Sequence, residues 1–244
     1  ATLHNEDQII KLDIREGDTV YVEKGGEIIP KVVGVLSKDR DLFSHPTSYI
    51  KNCPSCNCKL ERAVGDAKHY CPNKESCIPQ IVGGFEHFIS RKAMNIDSIG
   101  SETIELLVKK NIVSSLADLY QLTIEDLLPL KKDGKKWAQN IINGIQESKK
   151  MPFEKVLFSL GVRHVGETVS KRLVRNRLSI DNLINSSFED LIEIDDIGPK
   201  IAKSLVEYFS KEENIALVEQ LKSHNLLFYS LQNDDILFRF SFDL

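Results

Sequence analysis

The sequence has little cysteine, no long apolar run and no excess of basic residues, and each shortage excludes a class of protein. All five cysteines lie between residues 53 and 77 of a 244-residue chain. An odd number of cysteines crowded into one stretch disfavours a disulfide framework and favours a metal site in a reducing compartment. No apolar run approaches the ~20 residues that span a bilayer, so we expect no transmembrane segment.

The beginning of the sequence also lacks two features. Residues 1–5 contain neither the basic region nor the apolar core of a secretion signal, and they lack an initiator methionine. We therefore expect a cytoplasmic protein, and we expect the chain to be a piece of a longer one.

The net charge is −4, which argues against a large surface that holds nucleic acid through cations alone. Local charge differs from this sum. Residues 163–177 contain five basic side chains and one acid, and residues 131–136 contain four lysines and one aspartate. Such runs are most often solvated helix faces, so by themselves they do not identify a binding site.

Residues 1–50 are predicted to form strands of a small, incomplete barrel. β-branched residues are frequent at 19–22 and at 32–35, and a glycine turn at 25–26 lies between these two stretches. Pro30 has no backbone N–H, so it places the second strand at an edge or at a bulge.

Residues 51–82 contain two cysteine pairs that predict a zinc site. Cys53 and Cys56 belong to one tight turn, fourteen residues separate Cys56 from Cys71, and five separate Cys71 from Cys77. Two local pairs on facing turns supply the four soft ligands that zinc prefers. Four thiolates leave no coordination position for water, so the site is predicted to be structural, and a zinc-dependent hydrolase is disfavoured.

Two further side chains near this site need an interpretation. Cys58 follows Cys56 by two residues and is expected to point away from the same turn. His69 could replace a cysteine ligand, but the simpler expectation is a surface residue beside Cys71.

Residues 83–228 are predicted to be helical and to contain four repeats. Glycines stand at 100, 134, 166 and 198, at intervals of 34, 32 and 32 residues. Aliphatic residues recur four positions before each glycine and seven and eight positions after it, which places them on one face of a helix that begins at the glycine. The residues four before and seven after are Ile96, Leu130, Val162 and Ile194, and Leu107, Ile141, Leu173 and Leu205.

A glycine hairpin that opens into a helix presents unpaired backbone N–H groups to an anion. Glycine allows a phosphate to approach closely, and it also suits a turn with positive φ. We therefore predict backbone-phosphate contacts at Gly100, Gly134, Gly166 and Gly198. The second hairpin is degenerate, because Asp133 replaces the aliphatic residue of the others. Cationic side chains of the later repeats are predicted to assist: Lys171, Arg172 and Lys200.

Residues 131–134 read Lys-Lys-Asp-Gly and match the pattern around the nucleophilic lysine of nucleotidyl transferases. Their context is wrong for that role, because they form the second hairpin of the repeat and no strand-rich domain surrounds them. We interpret the match as a coincidence.

The order of a strand-rich piece, a four-cysteine site and four hairpin repeats resembles the bacterial NAD-dependent DNA ligases. The blocks that carry the resemblance are Ala1–Asn5, Asp13–Val20, Gly26–Pro30, Phe88–Met94 and Leu160–Glu167. It covers residues 1 to about 228 and implies a multidomain α+β fold. Its parts would be a partial OB-fold at 1–50, a zinc finger at 51–82, a helix-hairpin-helix domain at 83–228 and an unassigned tail at 229–244.

The resemblance implies the DNA-binding portion of an enzyme that seals nicks in duplex DNA during replication and repair, as a monomer. In that family a lysine of an upstream domain is adenylated by NAD, and Mg²⁺ assists the sealing step. Those domains lie outside the residues that carry the resemblance, so we expect no catalytic residue here and no activity of this chain alone.

The resemblance also implies DNA contacts in the OB-fold. On matching positions these would be Lys24, Ile28 and Ile29, although Lys24 stands where the family commonly has arginine. Packing inside the hairpin is an equally weighted interpretation for Ile28 and Ile29, because strand residues alternate between faces. The alternative function is a stand-alone repair scaffold without ligase chemistry, which would not need the N-terminal OB-fold block.

Overall fold

A computed structural model describes residues 1–24 and 29–230 of the chain. Backbone contacts divide the chain into two units, Ala1–Gln80 and Ile81–Leu244. No helix in the described ranges is both long and apolar enough to cross a membrane.

The first unit begins with a helix, α1 (Glu6–Leu12), which corrects the prediction of strands throughout residues 1–50. Its N-terminus is capped, because the Asn5 side chain accepts a hydrogen bond from the backbone N–H of Gln8 at 3.1 Å. Glu6 and Asp7 in the first turn also favour a helix over a strand, since acids stabilise the positive end of the helix dipole.

The predicted hairpin is present as strands β1 (Val20–Glu23) and β2 (Lys31–Val35), paired antiparallel. Val20 pairs with Val35, and the register shifts between Tyr21 and Val22. Pro30 directly precedes β2 and is not part of this irregularity. The residues that would join the two strands, including the glycine turn and Ile28, lie outside the described residues.

Arg40 holds the loops around this hairpin together. Its guanidinium donates to Asp18 through Nε and Nη2, at 2.8 Å each, and forms an ion pair with Asp13 at 2.6 Å. The Asp18 carboxylate also accepts the backbone N–H of Arg15 at 2.8 Å. The Arg40 guanidinium accordingly holds the pKa of Asp18 below its usual range.

Residues 41–77 contain turns, loops and short bridges but no helix, and from Ile78 onward the described chain is helical apart from turns, loops and one short bridge. Helix α2 begins directly after Cys77 and earlier than the predicted start near residue 83. The bounds are α2 (Ile78–Ile89), α3 (Ser101–Lys109), α4 (Ile124–Leu127), α5 (Lys135–Ser148), α6 (Phe153–Ser159), α7 (Glu167–Arg177), α8 (Ile180–Ile184), α9 (Phe188–Ile192), α10 (Pro199–Phe209) and α11 (Glu212–Ser223), with 3₁₀ turns at Ser37–Asp39, Leu116–Gln121 and Leu128–Leu130.

The four-fold repeat of glycine and helix is confirmed in the helical unit. Helices α3, α5, α7 and α10 each begin one residue after a repeat glycine. The residues seven positions after the glycines are fully or almost fully buried in one continuous apolar core. The face was predicted incompletely, because the residues four positions after the glycines are also fully buried: Ile104, Ala138, Ser170 and Ala202.

The residues eight positions after the glycines are less regularly buried than predicted. Val108 and Val174 are buried there, but Val206 of the fourth repeat is 39% exposed. The core therefore follows offsets four and seven, one helical turn apart, and offset eight lies at its margin.

Candidate metal centre and nucleic-acid interface

The first cysteine pair lies in a tight turn closed by backbone hydrogen bonds. The N–H of Asn57 donates to the carbonyl of Cys53 at 2.8 Å, and the N–H of Cys53 donates to the carbonyl of Cys58 at 2.8 Å. Asn57 has a φ of 59°, which this residue type tolerates. The turn brings the side chains of Cys53 and Cys56 to one side.

The second pair faces the first across the finger. The sulfurs of Cys53 and Cys77 are 3.9 Å apart, those of Cys56 and Cys71 are 3.5 Å apart, and all four lie within 4.8 Å of one another. A tetrahedral zinc with Zn–S bonds of about 2.3 Å places its sulfurs about 3.8 Å apart. The four thiols therefore fit a closed, structural zinc centre.

The surroundings of the cysteines shift the pKa values of their thiols in different directions. The backbone N–H groups of Cys56 and Ser55 lower the pKa of Cys53 to about 7. Burial raises the pKa of Cys71 to about 12 and also raises that of Cys77. Because the pKa values of Cys71 and Cys77 are raised, these two thiols become thiolates beside the other two sulfurs only if a metal ion compensates their charge.

Cys58 and His69 stand apart from this cluster. Cys58 contributes its carbonyl to the turn, and its sulfur does not belong to the group of four. The His69 ring packs against Tyr49 with ring centroids 4.9 Å apart, and its Nε2 lies 3.6 Å from a carboxylate oxygen of Glu6. His69 is thus partly buried, so the expected surface position holds only in part, and its ring lies outside the group of four sulfurs.

Three of the four hairpins share one geometry. The N–H of the residue before the glycine donates to the carbonyl three positions earlier: Ile99 to Ile96 at 3.3 Å, Val165 to Val162 at 3.0 Å and Ile197 to Ile194 at 3.0 Å. All six of these aliphatic side chains are buried. The hairpin is therefore anchored in the core by two side chains, and the glycine that follows lies at the surface.

The glycines of these three hairpins are not needed for the backbone conformation. Gly100, Gly166 and Gly198 have φ values of −96°, −85° and −80°, in extended backbone that any residue adopts. A Cβ atom built on any of the three would meet nothing within 4 Å. The expectation that glycine suits a positive φ here was wrong, since positive φ occurs instead at His164 and Asp196, two residues earlier in the third and fourth hairpins.

The second hairpin differs in register and in the role of its glycine. The closing bond runs from the N–H of Gly134 to the carbonyl of Lys131 at 3.1 Å, one residue later than in the others. Gly134 is buried, and a Cβ there would lie 2.7 Å from the Lys131 carbonyl oxygen. Asp133 has a φ of 53°. This glycine is required by the packing of the turn itself.

Lys131 and Lys132 lie in this second turn and are exposed. The Lys131 ammonium is 5.5 Å from the centre of the Trp137 ring, a cation–π contact on the following helix. This placement agrees with the interpretation of residues 131–134 as a hairpin.

The two residues between the donor and the acceptor of each closing bond differ in charge from turn to turn: Asp97-Ser98, Lys132-Asp133, Arg163-His164 and Asp195-Asp196. The first and fourth pairs are acidic, the second is a lysine and an aspartate with Lys131 directly before it, and the third contains an arginine. Any attraction of a polyanion by the turns is therefore concentrated on the middle two hairpins.

The predicted cationic side chains differ in their surroundings. Lys171 on α7 and Lys200 in the first turn of α10 are exposed. Arg172 forms an ion pair with Asp196 and donates to the carbonyl of Asp195 at 3.1 Å, so it is engaged within the protein. In the first unit Lys24 is exposed and Ile29 is 62% exposed, which favours a surface position of Ile29 over hairpin packing.

Family models match the chain in the same order as its structural parts. They describe an NAD-dependent DNA ligase OB-fold domain at residues 1–43, an NAD-dependent DNA ligase C4 zinc finger domain at 52–78, a SAM-like helix-hairpin-helix tandem at 90–147 and a helix-hairpin-helix motif at 155–218. The class defined by fold and site is thus a modular protein with a C4 zinc finger and tandem helix-hairpin-helix motifs.

Curated relatives named DNA ligase match most of the chain. The chain is 55% identical over 226 residues to a DNA ligase of Christiangramia forsetii, which covers 93% of the chain and 34% of the relative. It is 50% identical over 234 residues to a DNA ligase of Bacteroides fragilis, covering 96% of the chain and 35% of the relative. The resemblance to the bacterial NAD-dependent DNA ligases is confirmed over these domains, and the chain spans about a third of the length of these relatives, 34% and 35%. A stand-alone repair scaffold is not favoured, because the matching OB-fold and finger models are those of ligases.

Proposed function

We propose that the chain is the DNA-binding portion of an NAD-dependent DNA ligase and holds duplex DNA at a nick through the backbone phosphates. The observation that carries this proposal is the surface glycine at three helix starts. Gly100, Gly166 and Gly198 lie in extended backbone with open space around them, so the fold gives no reason for the missing side chain. Close approach of an external group supplies that reason.

The group that fits these positions is a phosphate. None of the three glycines is accompanied by a side-chain cap within the described residues, so the first N–H groups of α3 and α7 are available to an anion. In α10 the first residue, Pro199, has no N–H, so the available donor there begins at Lys200. Such contacts read no base sequence. Lys171, Lys200 and the basic turn residues Lys131 and Lys132 would add cations along the same backbone.

The proposed division of the chain is an OB-fold portion at 1–50, a zinc finger at 51–82 and a helix-hairpin-helix domain at 83–228. Lys24, Ile28 and Ile29 are proposed to touch DNA beside the nick. In the complete enzyme, NAD and Mg²⁺ would serve an adenylation domain that corresponds to other parts of the relatives. We expect such an enzyme to act as a monomer in the bacterial cytoplasm.

Fluorescence anisotropy with two unrelated duplexes, nicked and intact, tests the DNA-binding proposal. We expect equal affinity for the two sequences and a steep loss of affinity with salt. Lys171→Ala should reduce the log–log salt slope by about 0.9, because one phosphate contact loses its cation. Lys211→Ala, an exposed lysine on another helix start, is the matched control and should leave the slope unchanged. Absence of binding to any duplex, or affinity that follows base sequence, contradicts the proposal.

Metal analysis of cysteine variants tests the proposed zinc ligands. We expect one zinc per chain, lost in Cys71→Ser and in Cys77→Ser, because binding at four thiolates supplies much of the folding free energy of such fingers, about 10–16 kcal/mol in isolated peptides. Cys58→Ser is the control and should keep the metal. If Cys58→Ser loses zinc while Cys77→Ser retains it, the ligand set is wrong.

A further inference from the structure

Arg172 joins two consecutive hairpins of the helical unit. It lies on α7, the helix that begins after Gly166 of the third hairpin. Its guanidinium donates to the carbonyl of Asp195 at 3.1 Å and pairs with the carboxylate of Asp196. The Arg172 side chain is 34% exposed and that of Asp196 is 76% exposed, so the ion pair faces solvent on its acidic side and the hydrogen bond to the backbone carbonyl is the more directional contact.

The two contacted aspartates are the central residues of the fourth turn. The turn is closed by the bond from the Ile197 N–H to the Ile194 carbonyl at 3.0 Å, and Asp196 adopts a φ of 62°. Gly198 follows two residues later. Arg172 therefore binds the backbone of the fourth hairpin directly beside the start of α10, which is proposed to contact a phosphate.

The charge of the fourth turn makes such a partner necessary. Glu193, Asp195 and Asp196 all lie within five residues of Gly198, and carboxylates so close to a bound phosphate repel it. The guanidinium of Arg172 neutralises the carboxylate of Asp196 and donates a hydrogen bond to the backbone carbonyl of Asp195.

The other repeats do not contain this arrangement. The positions equivalent to Arg172, six residues after the repeat glycine, are Leu106, Asn140 and Ser204. The arginine occurs only in the repeat that directly precedes the doubly acidic turn, whereas the repeat that precedes the basic second turn has a leucine.

We infer that Arg172 is a positioning residue, which fixes the fourth hairpin relative to the third so that both can engage the DNA backbone together. This inference rests on the proposed DNA-binding function, and it replaces the prediction that Arg172 contacts a phosphate itself. On this inference, Arg172 affects the affinity for DNA through its contacts within the protein.

The test compares Arg172→Gln, Asp196→Asn and the double variant with the parent chain, with two measurements. Asn is suitable at position 196 because it tolerates the left-handed backbone. The first measurement is hydrogen exchange of the Ile197 amide without DNA. We expect Arg172→Gln to accelerate exchange by roughly tenfold, since interactions within one network couple by amounts of that order.

The second measurement is duplex affinity against salt. Arg172→Gln should weaken binding by roughly tenfold with the salt slope unchanged, and it should cost less in the Asp196→Asn background, because the partner is already lost. A slope that falls by about 0.9 with unaltered Ile197 exchange overturns the inference and restores a direct phosphate contact. If the parent chain binds no duplex, the proposed function fails, whereas unaltered exchange in Arg172→Gln specifically refutes the positioning role.

Discussion

Six helices of the helical unit form two sets that begin in different ways. Helices α4, α8 and α9 begin after Thr123, Ser179 and Ser187, whose side-chain oxygens accept a backbone N–H of the first turn. Helices α3, α7 and α10 begin after glycines, with no side chain to accept these groups.

The proposed phosphate contacts would account for this difference. Serine at a helix N-cap adopts the extended backbone that Gly166 and Gly198 already have, and it stabilises the helix slightly more than glycine. A serine would therefore suit the fold at least as well. An external anion that accepts the first N–H groups of α3, α7 and α10 would explain these uncapped starts. The N–H groups of the capped starts are already bonded within the protein.

The largest expected effect is on DNA binding, from the double variant Gly166→Val and Gly198→Val. Two bulky side chains should block phosphate approach and weaken both test duplexes alike, on the order of a hundredfold, since each hydrogen bond to a charged group contributes about 1.5–3 kcal/mol. Anisotropy measures the affinity and circular dichroism measures the fold. Gly83→Val, at an exposed glycine with open space in α2, is the control. A folded double variant that binds like the parent would reduce the uncapped starts to ordinary turns.

The next effect is on stability and separates Gly134 from the other repeat glycines. Gly134→Ala should lower the free energy of unfolding by about 1–3 kcal/mol, because the new Cβ meets a backbone oxygen that cannot move freely. Gly166→Ala, in open space, should stay within about 1 kcal/mol of the parent or be more stable. Urea unfolding measures the free energy of unfolding of the two variants. Equal losses of this free energy would mean that Gly134 and Gly166 have the same structural role.

The smallest expected effect is on the pH dependence of stability, at the capped start of α4. The Thr123 hydroxyl and backbone N–H both donate to Asp126 and keep the pKa of its carboxyl below the usual range. A carboxyl whose pKa is lowered on folding stabilises the fold at pH above its unfolded value, and this contribution is lost as the pH falls below about 4. The contribution is small, because the carboxyl is exposed to solvent.

Asp126→Asn removes the titrating group and should flatten this part of the stability profile. The measurement is the urea midpoint at pH 7 and at pH 3, for the parent and for the variant. An unchanged pH dependence in Asp126→Asn would show that the cap does not contribute to acid sensitivity.

Much of the helical unit was predictable from the sequence, because spacing alone encodes it. The glycines at 100, 134, 166 and 198 mark the helix starts to within one residue, and the aliphatic periodicity identifies most of the core. The cysteine spacing likewise pairs the thiols that the structure brings together. In each case the signal is local and repeats along the chain.

The features that escaped prediction depend on tertiary contacts or on weak local signals. The pairing of Arg172 with Asp196 joins residues from different repeats, and no local spacing indicates it. The one-residue shift of the second turn depends on how Gly134 packs against Lys131. Helix α1 was missed although Asn5 is a recognisable cap, because its seven residues are few and directly precede the stretches that predict strands.

The open surroundings of Gly100, Gly166 and Gly198 have a consequence for selecting variants of this protein. A screen that scores expression, melting temperature or protease resistance responds to packing, and these positions contact nothing that packing would disturb. Substitutions there pass unnoticed through such a screen, whereas those at Gly134 or at Gly144, where a Cβ would lie 2.5 Å from the Ser98 hydroxyl, are rejected. Libraries filtered for stability would thus accumulate changes at the helix starts that are proposed to contact DNA, and only a selection on binding would remove them.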